Sequence, residues 1–354
     1  MKMQTQGVWK INQFLVFISS LSIFIVILKF ASDLLVPFLI SIAIAIVLNP
    51  ILVYLQRKHI PKIISLSIVI MLSLLPGIIL AEQLTLEVKS LSHNFHDISR
   101  DFTRTLEHSS SFLNEYGLNF DRSTLNKAIE KSNITDLVKH LASQASSQFS
   151  NIFLIIFTAA FMLMESEFLY NKLIKVGKEN KRNIDEWMKI ITKIQSYFLI
   201  KVKTSFITAL WALGVLWYYD VSYALLWSIL VFFLNFVPVI GSILAAIPAI
   251  IMAGIDHGMI TAFWVASWYA VINMVIGNIL EPKIMGKGLG LSALVIFLSM
   301  TFWGWVFGPA GMILSVPLTM VFQFMFQQYD ETRWVALFLS DYETEAIEAE
   351  KEAH

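Results

Sequence analysis

Several stretches of this chain run for about 18 residues or more without a charge, long enough to cross about 30 Å of hydrocarbon as a helix. Backbone amides in lipid must find partners within the segment itself, so continuous apolar runs of this length are helices. A β-barrel would need alternating segments of about ten residues instead. The spans read as 12–29, 34–55, 62–81, 149–168 and 203–218, followed by a dense apolar block from 222 to 328. Charged residues are 15% of the chain, against about 25% in soluble domains. The fold class expected is all-α, a polytopic membrane protein. The run from Ile11 to Leu28 is too long for a signal-peptide core and lacks a small-residue cleavage site, so it reads as an uncleaved first span.

The same composition excludes several functions. Basic and acidic residues both number 26, so no bulk attraction to nucleic acid is implied. There are no cysteines, which removes disulfides and thiolate chemistry. The seven histidines lie outside the apolar runs, so neither a metal centre nor a cofactor is expected. His93 and His96, one helical turn apart, read as part of a solvated helix face. Neither an HExxH nor a Walker-type GxxxxGK[ST] segment is present, which leaves enzyme and ATP-pump readings without support.

Lysine and arginine set the orientation. Lys2 and Lys10, then Arg57, Lys58 and Lys62, then nine basic residues in 170–203 should all be cytoplasmic by the positive-inside rule. Residues 83–148 then lie on the other side. There Leu91, Phe95, Ile98, Phe102 and Leu106 recur at helical spacing, and Leu125, Ile129, Ile134, Leu137, Val138 and Leu141 suggest further turns, with Asp121 and Ser123 as N-caps. On the cytoplasmic side, Ile184, Trp187, Met188, Ile191, Ile194 and Phe198 share one face of an amphipathic helix. It would lie at the lipid surface or cover the inner ends of the spans. The tail from Asp330 is acidic and reads as solvated. The organisation expected is a three-span region at 1–82, an exterior helical segment at 83–148, a fourth span with its amphipathic helix at 149–202, a core of broken helices at 203–329 and a tail at 330–354.

The last third is interrupted. NFVPVIGSILAAIPAI (235–250) carries Asn235, Pro238, Gly241 and Pro248, and WGWVFGPAGMILSVP (303–317) carries Gly308, Pro309, Gly311 and Pro317. Proline removes a backbone donor and glycine loosens a helix. Irregular backbone at membrane depth survives only where protein covers it or water reaches it, and transporters commonly hold substrates there. Six spans plus two re-entrant hairpins fit this pattern, as do ten spans. The short run at 241–255 favours the hairpins, with a site between their tips. Both arrangements leave the two termini cytoplasmic.

Between these breaks lies GNILEPKIMGKG (277–288). Asn273, Gly277 and Glu281 are spaced i, i+4, i+8 and would share a face of a continuing helix, with Asn278 one step round. A charge at mid-bilayer costs about 2.5–3.5 kcal/mol on insertion scales, so Glu281 should face protein, water or a cation. Lys283 is its partner only if the turn at Pro282 allows. The plainer alternative is a cytoplasmic helix end, terminated by Pro282, with Lys283 and Lys287 at the headgroups.

NFVPVIGSILAAIPAI, GNILEPKIMGKGLGLSALVIFLSM and FWGWVFGPAGMILSVPL resemble the signature segments of the AI-2E (autoinducer-2 exporter) family of bacterial inner-membrane proteins, most of all its autoinducer-2 exporting branch. LLVPFLISIAIAIVLNP and SNIFLIIFTAAFMLME fit the family's second and fourth spans. By motif, Pro238, Gly241 and Pro248 match the first broken segment. Asn278, Glu281, Pro282, Met285 and Gly286 match the NxxEPxxMG element, and Gly308, Gly311 and Pro317 match the last. The resemblance implies a homo-oligomeric transporter, a pentamer, of a small polar signalling molecule. Some family members are described as cation/proton antiporters. A neutral, polyhydroxylated solute needs hydroxyl partners and few fixed charges. The substrate path expected is therefore Asn235, Pro238, Gly241, Asn273, Gly277, Asn278, Glu281 and Lys283, with hinges or gates at Pro248, Pro282, Gly286, Gly308, Gly311 and Pro317. Cation/proton antiport through Glu281 and a non-transporting scaffold are the competing functions.

Overall fold

The computed structural model describes residues 15–16, 19–115, 152–168, 172, 175, 184–238, 240–285 and 290–341. The further turns expected between Asp121 and Leu141, Gly286 and most of the acidic tail lie outside them. The described residues are helical and contain no strand. In chain order the helices are α1 (Ser19–Phe30), α2 (Ser32–Arg57), α3 (Lys62–Glu115), α4 (152–168), α5 (Ile184–Tyr218), α6 (Ala224–Leu234), α7 (Gly241–His257) and α8 (Met259–Ile272). A π-helical stretch (Asn273–Leu280) joins α8 to α9 (Glu281–Met285), and α10 (Ala293–Gln327) and α11 (Arg333–Leu339) complete the chain. The molecule is a polytopic helical membrane protein: α2, α5 and the α8–π unit are long and apolar enough to span a bilayer, and α10 is as apolar but turns at Gly308.

Two helices are longer than the sequence suggests. The third span and the first exterior helix are one helix, α3, of 54 residues. The amphipathic cytoplasmic helix and the fifth span are likewise one 35-residue helix, α5, which runs without a break through position 203. The apolar face read on its first half faces protein in part. Ile194 and Phe198 are buried with Tyr197 against Ala43 of α2 and Leu314, Val316 and Met320 of α10, while Ile191 is exposed. Of the two readings for that helix, covering the neighbouring spans is the one that Ile194 and Phe198 follow.

The breaks at 235–240 and at 308 fold the chain back on itself. In the first, α6 ends where Val237 N–H reaches the Leu234 carbonyl (2.8 Å), Pro238 has no N–H to offer, and Ile240 N–H turns to the Pro238 carbonyl (2.7 Å). α6 and α7 then pack against each other and against α5 and α8 through small residues, among them Ala212, Ala224, Ala245, Ala249 and Ala253. Small side chains let helices approach closely in lipid, where packing rather than water release holds them together. The open end of this hairpin is stapled: Ser222 N–H donates to Asp256 Oδ2 (2.7 Å), and His257 Nε2 lies 2.8 Å from the Asp220 carbonyl. With 11 residues, α6 is only about 17 Å long, well short of about 30 Å of hydrocarbon.

The second fold-back lies inside α10. Gly308 has φ 65° and ψ −150°, a conformation open to glycine and costly for other residues, and it reverses the chain. Residues 293–307 and 309–327 run antiparallel as a result. Ser299 Oγ donates to the Ser315 carbonyl (3.0 Å) and contacts Thr319 Oγ1, to which Trp303 Nε1 also donates (3.2 Å). The residues just before the tip, Trp303, Val306 and Phe307, pack against Ile25, Leu28, Leu35 and Val36 of α1 and α2.

Candidate functional site

Glu281 is the acid that the sequence singles out, and the structure supplies its partner. Lys201 Nζ lies 2.6 Å from Glu281 Oε1, and the two side chains are only 10% and 13% exposed. The same ammonium donates to the backbone carbonyl of Asn235 (3.2 Å), while Asn235 Nδ2 donates to Ser205 Oγ (3.0 Å). Lys201 and Ser205 are one turn apart on α5, and Asn235 is the C-terminal cap of α6. Three elements therefore meet here: the middle of α5, the tip of the first hairpin, and the start of α9.

A π register brings Glu281 to this point. Val265, Tyr269, Ile272 and Ile276 form the buried stripe of α8 and its continuation. Glu281 comes five residues after Ile276, and five residues are about 1.4 turns of an α-helix, which would swing it off the stripe. In a π ladder the N–H of residue i+5 bonds the carbonyl of residue i. The Glu281 N–H makes this bond to Ile276, so its side chain continues the buried stripe toward α5. Pro282 accounts for the widening. A proline has no N–H for a regular ladder to the carbonyl four residues back, and its ring disfavours one there.

The polar face continues along α5. Thr204, Ser205 and Thr208 are all buried and follow Lys201 at three-, four- and seven-residue steps. Thr204 Oγ1 donates to the Lys201 carbonyl (3.3 Å) and Thr208 Oγ1 to the Thr204 carbonyl (2.8 Å), which leaves oxygen lone pairs available. One turn before Lys201, the Tyr197 hydroxyl is buried without a hydrogen-bond partner among the described residues.

The remaining expected site residues distribute as follows. Asn235 belongs to the cluster. Pro238 and Gly241 are buried at the tip beside it. Pro248 lies half-buried inside α7, one arm away. Asn273 is half-buried, while Gly277 and Asn278 are exposed. Lys283 is exposed, and Lys201 takes the position beside Glu281 that the sequence had offered to it. Pro282 sits in the first turn of α9. Gly308, Gly311 and Pro317 lie in the second hairpin, whose residues just before the tip pack on α1 and α2. The sequence reading missed Lys201, Tyr197, Ser205 and Thr208. A lysine followed by three hydroxyl residues at helical spacing in an apolar run was the available signal.

Gly277 carries a prediction. A methyl group placed on it would meet nothing within 4 Å. Gly277→Ala should therefore leave folding intact, and it should raise stability by up to about 1 kcal/mol through helix propensity. Thermal unfolding of the purified variant checks this, and a clear loss of stability would mean that another surface covers Gly277.

Comparison with known proteins agrees with this architecture. Residues 18–331 match the model of the AI-2E family transporters. The AI-2 transport protein TqsA of Escherichia coli is 35% identical over 314 residues, covering 89% of this chain and 91% of its own. A Haemophilus influenzae protein, named for transport without a substrate, is 34% identical over 89% of this chain and 92% of its own. A sodium-lithium/proton antiporter of Halobacillus andaensis is 26% identical over 81% and 87%. By the extent of the family match, this chain is a member of the AI-2E family of transporters.

Proposed function

We propose that this transporter exports autoinducer-2, a small, neutral, polyhydroxylated signal, across the bacterial inner membrane, with both chain termini in the cytoplasm. The observation that carries this reading is the buried cluster of Lys201, Glu281, Asn235 and Ser205 at the first hairpin tip. Its two charges sum to zero, so it presents hydrogen-bonding groups without a net charge. Hydroxyls of a neutral solute can replace the internal bonds of Lys201, Glu281 and Asn235 one for one. A net charge would instead select ions. The name of the Escherichia coli relative supports the same substrate.

Cation/proton antiport at Glu281 is the second reading, and the name of the Halobacillus relative supports it. The ammonium already held by Glu281 weighs against it in this chain. Cells lacking and overproducing the protein separate the two. Export predicts that overproduction lowers internal autoinducer-2 several-fold and that deletion raises it. Signal levels independent of the protein, together with proton flux from vesicles under a sodium gradient, would favour antiport.

A further inference from the structure

The groups around the Lys201 ammonium resemble a coordination shell for a metal ion. In contact with the ammonium are a carboxylate oxygen of Glu281 at 2.6 Å and the backbone carbonyl oxygen of Asn235 at 3.2 Å; one turn away along α5 stand the Ser205 hydroxyl and the buried Tyr197 hydroxyl, which has no partner among the described residues. All are oxygens. Hard cations take such ligands. Carbonyls at the C-terminal ends of broken helices are where secondary transporters hold sodium, and Asn235 caps the C-terminus of the short, broken α6. The negative end of that helix favours a cation of any kind. Here the cation is a side chain, attached to α5.

We propose that the Lys201 ammonium is a tethered substitute for a monovalent metal cation, and that it determines the specificity of this chain: with Lys201 present, sodium and lithium have no site, and only a neutral solute is moved. Removing the ammonium leaves an oxygen-lined space with one uncompensated carboxylate, which a sodium or lithium ion can fill. The inference rests on the reading that this cluster lines the transport path. Its test, however, needs no transported solute.

Purified wild-type protein, Lys201→Met, Lys201→Gln and the Lys201→Met/Glu281→Gln double variant are unfolded by heat in sodium, lithium or choline chloride at equal ionic strength. Wild type should be indifferent to the choice of salt. Lys201→Met and Lys201→Gln should be destabilised in choline and regain stability in sodium or lithium. Their unfolding temperature should rise progressively with each tenfold increase in sodium once a dissociation constant is exceeded, as expected for a ligand that binds the folded state. The double variant should lose that response. Lysine variants that fold but ignore sodium and lithium would overturn the proposal, as would wild-type protein stabilised by sodium as much as they are. Failure of both lysine variants to fold in sodium would overturn it too. Sodium rescue without autoinducer-2 export in cells would instead count against the proposed substrate alone.

Discussion

Lys201→Met and Glu281→Gln, made singly and measured without sodium, should each lower stability sharply, and together they should cost less than either alone. Breaking a buried ion pair by removing one partner costs about 3–5 kcal/mol, because the other charge stays buried without compensation. The pair here is almost fully enclosed, so little of that cost is screened by solvent. Glu281→Gln should fall toward the lower end, because glutamine keeps an acceptor oxygen and Lys201 keeps its bond to the Asn235 carbonyl. Lys201→Met leaves the carboxylate with no cation and should fall toward the upper end. The double variant contains no charge at this point and should recover most of the stability. Transport should be lost in all three. A double-mutant cycle on thermal unfolding, run alongside an export assay, reads both effects. Additive losses in the cycle would mean that the two side chains do not share a buried contact.

Gly241→Ala and Gly311→Ala should prevent the two hairpins from closing. A methyl at Gly241 would overlap the carbonyl oxygen of Leu234, and a methyl at Gly311 would overlap that of Trp303. Both obstacles are backbone atoms, which cannot rotate away as a side chain does. Overpacking a buried site typically costs about 1–3 kcal/mol, and a backbone overlap should reach or exceed the top of that range. Loss of monodisperse protein in detergent is the expected result for both. Gly277→Ala, which meets no neighbour, is the control. If Gly311→Ala purifies and melts like wild type, residues 293–307 and 309–327 do not lie against each other as described.

The apolar helices, the breaks at 235–241 and 308–311, and the need of Glu281 for a partner were legible in the sequence because each rests on a local property. Apolar length, the lost donor of proline and the freedom of Gly308 act within a few residues. Pairings across the fold were not legible. Lys201 was counted with the basic residues of 170–203, because the positive-inside rule reads charge by neighbourhood and Lys203 stands two residues away. Its packing against the hairpin tip depends on α5 being continuous from Ile184 to Tyr218, and no cap or breaker marks the join. The face assigned to Asn273, Gly277 and Glu281 assumed a regular α-helix. The π ladder between Asn273 and Leu280 was not foreseen; it brings Glu281 round to the buried stripe through Ile276, while Gly277 stays exposed. Pro282 was read as a hinge or gate, with helix termination as the alternative; the helix runs past it into α9 as far as Met285.

Thiol labelling tests most directly whether the buried polar face of α5 lines a watery passage. The chain has no cysteine of its own, so single replacements can be read without background. Ser205→Cys and Thr208→Cys, both at buried positions, are compared with Leu210→Cys on the exposed apolar surface. If solute moves along this face, a small, water-soluble, membrane-impermeant reagent will modify Cys at 205 and 208 in the working transporter, and added autoinducer-2 will slow the reaction, while Cys at 210 stays unmodified in lipid. Cysteines at 205 and 208 that stay unreactive in folded, active protein, or that react no faster than the one at 210, would contradict the passage.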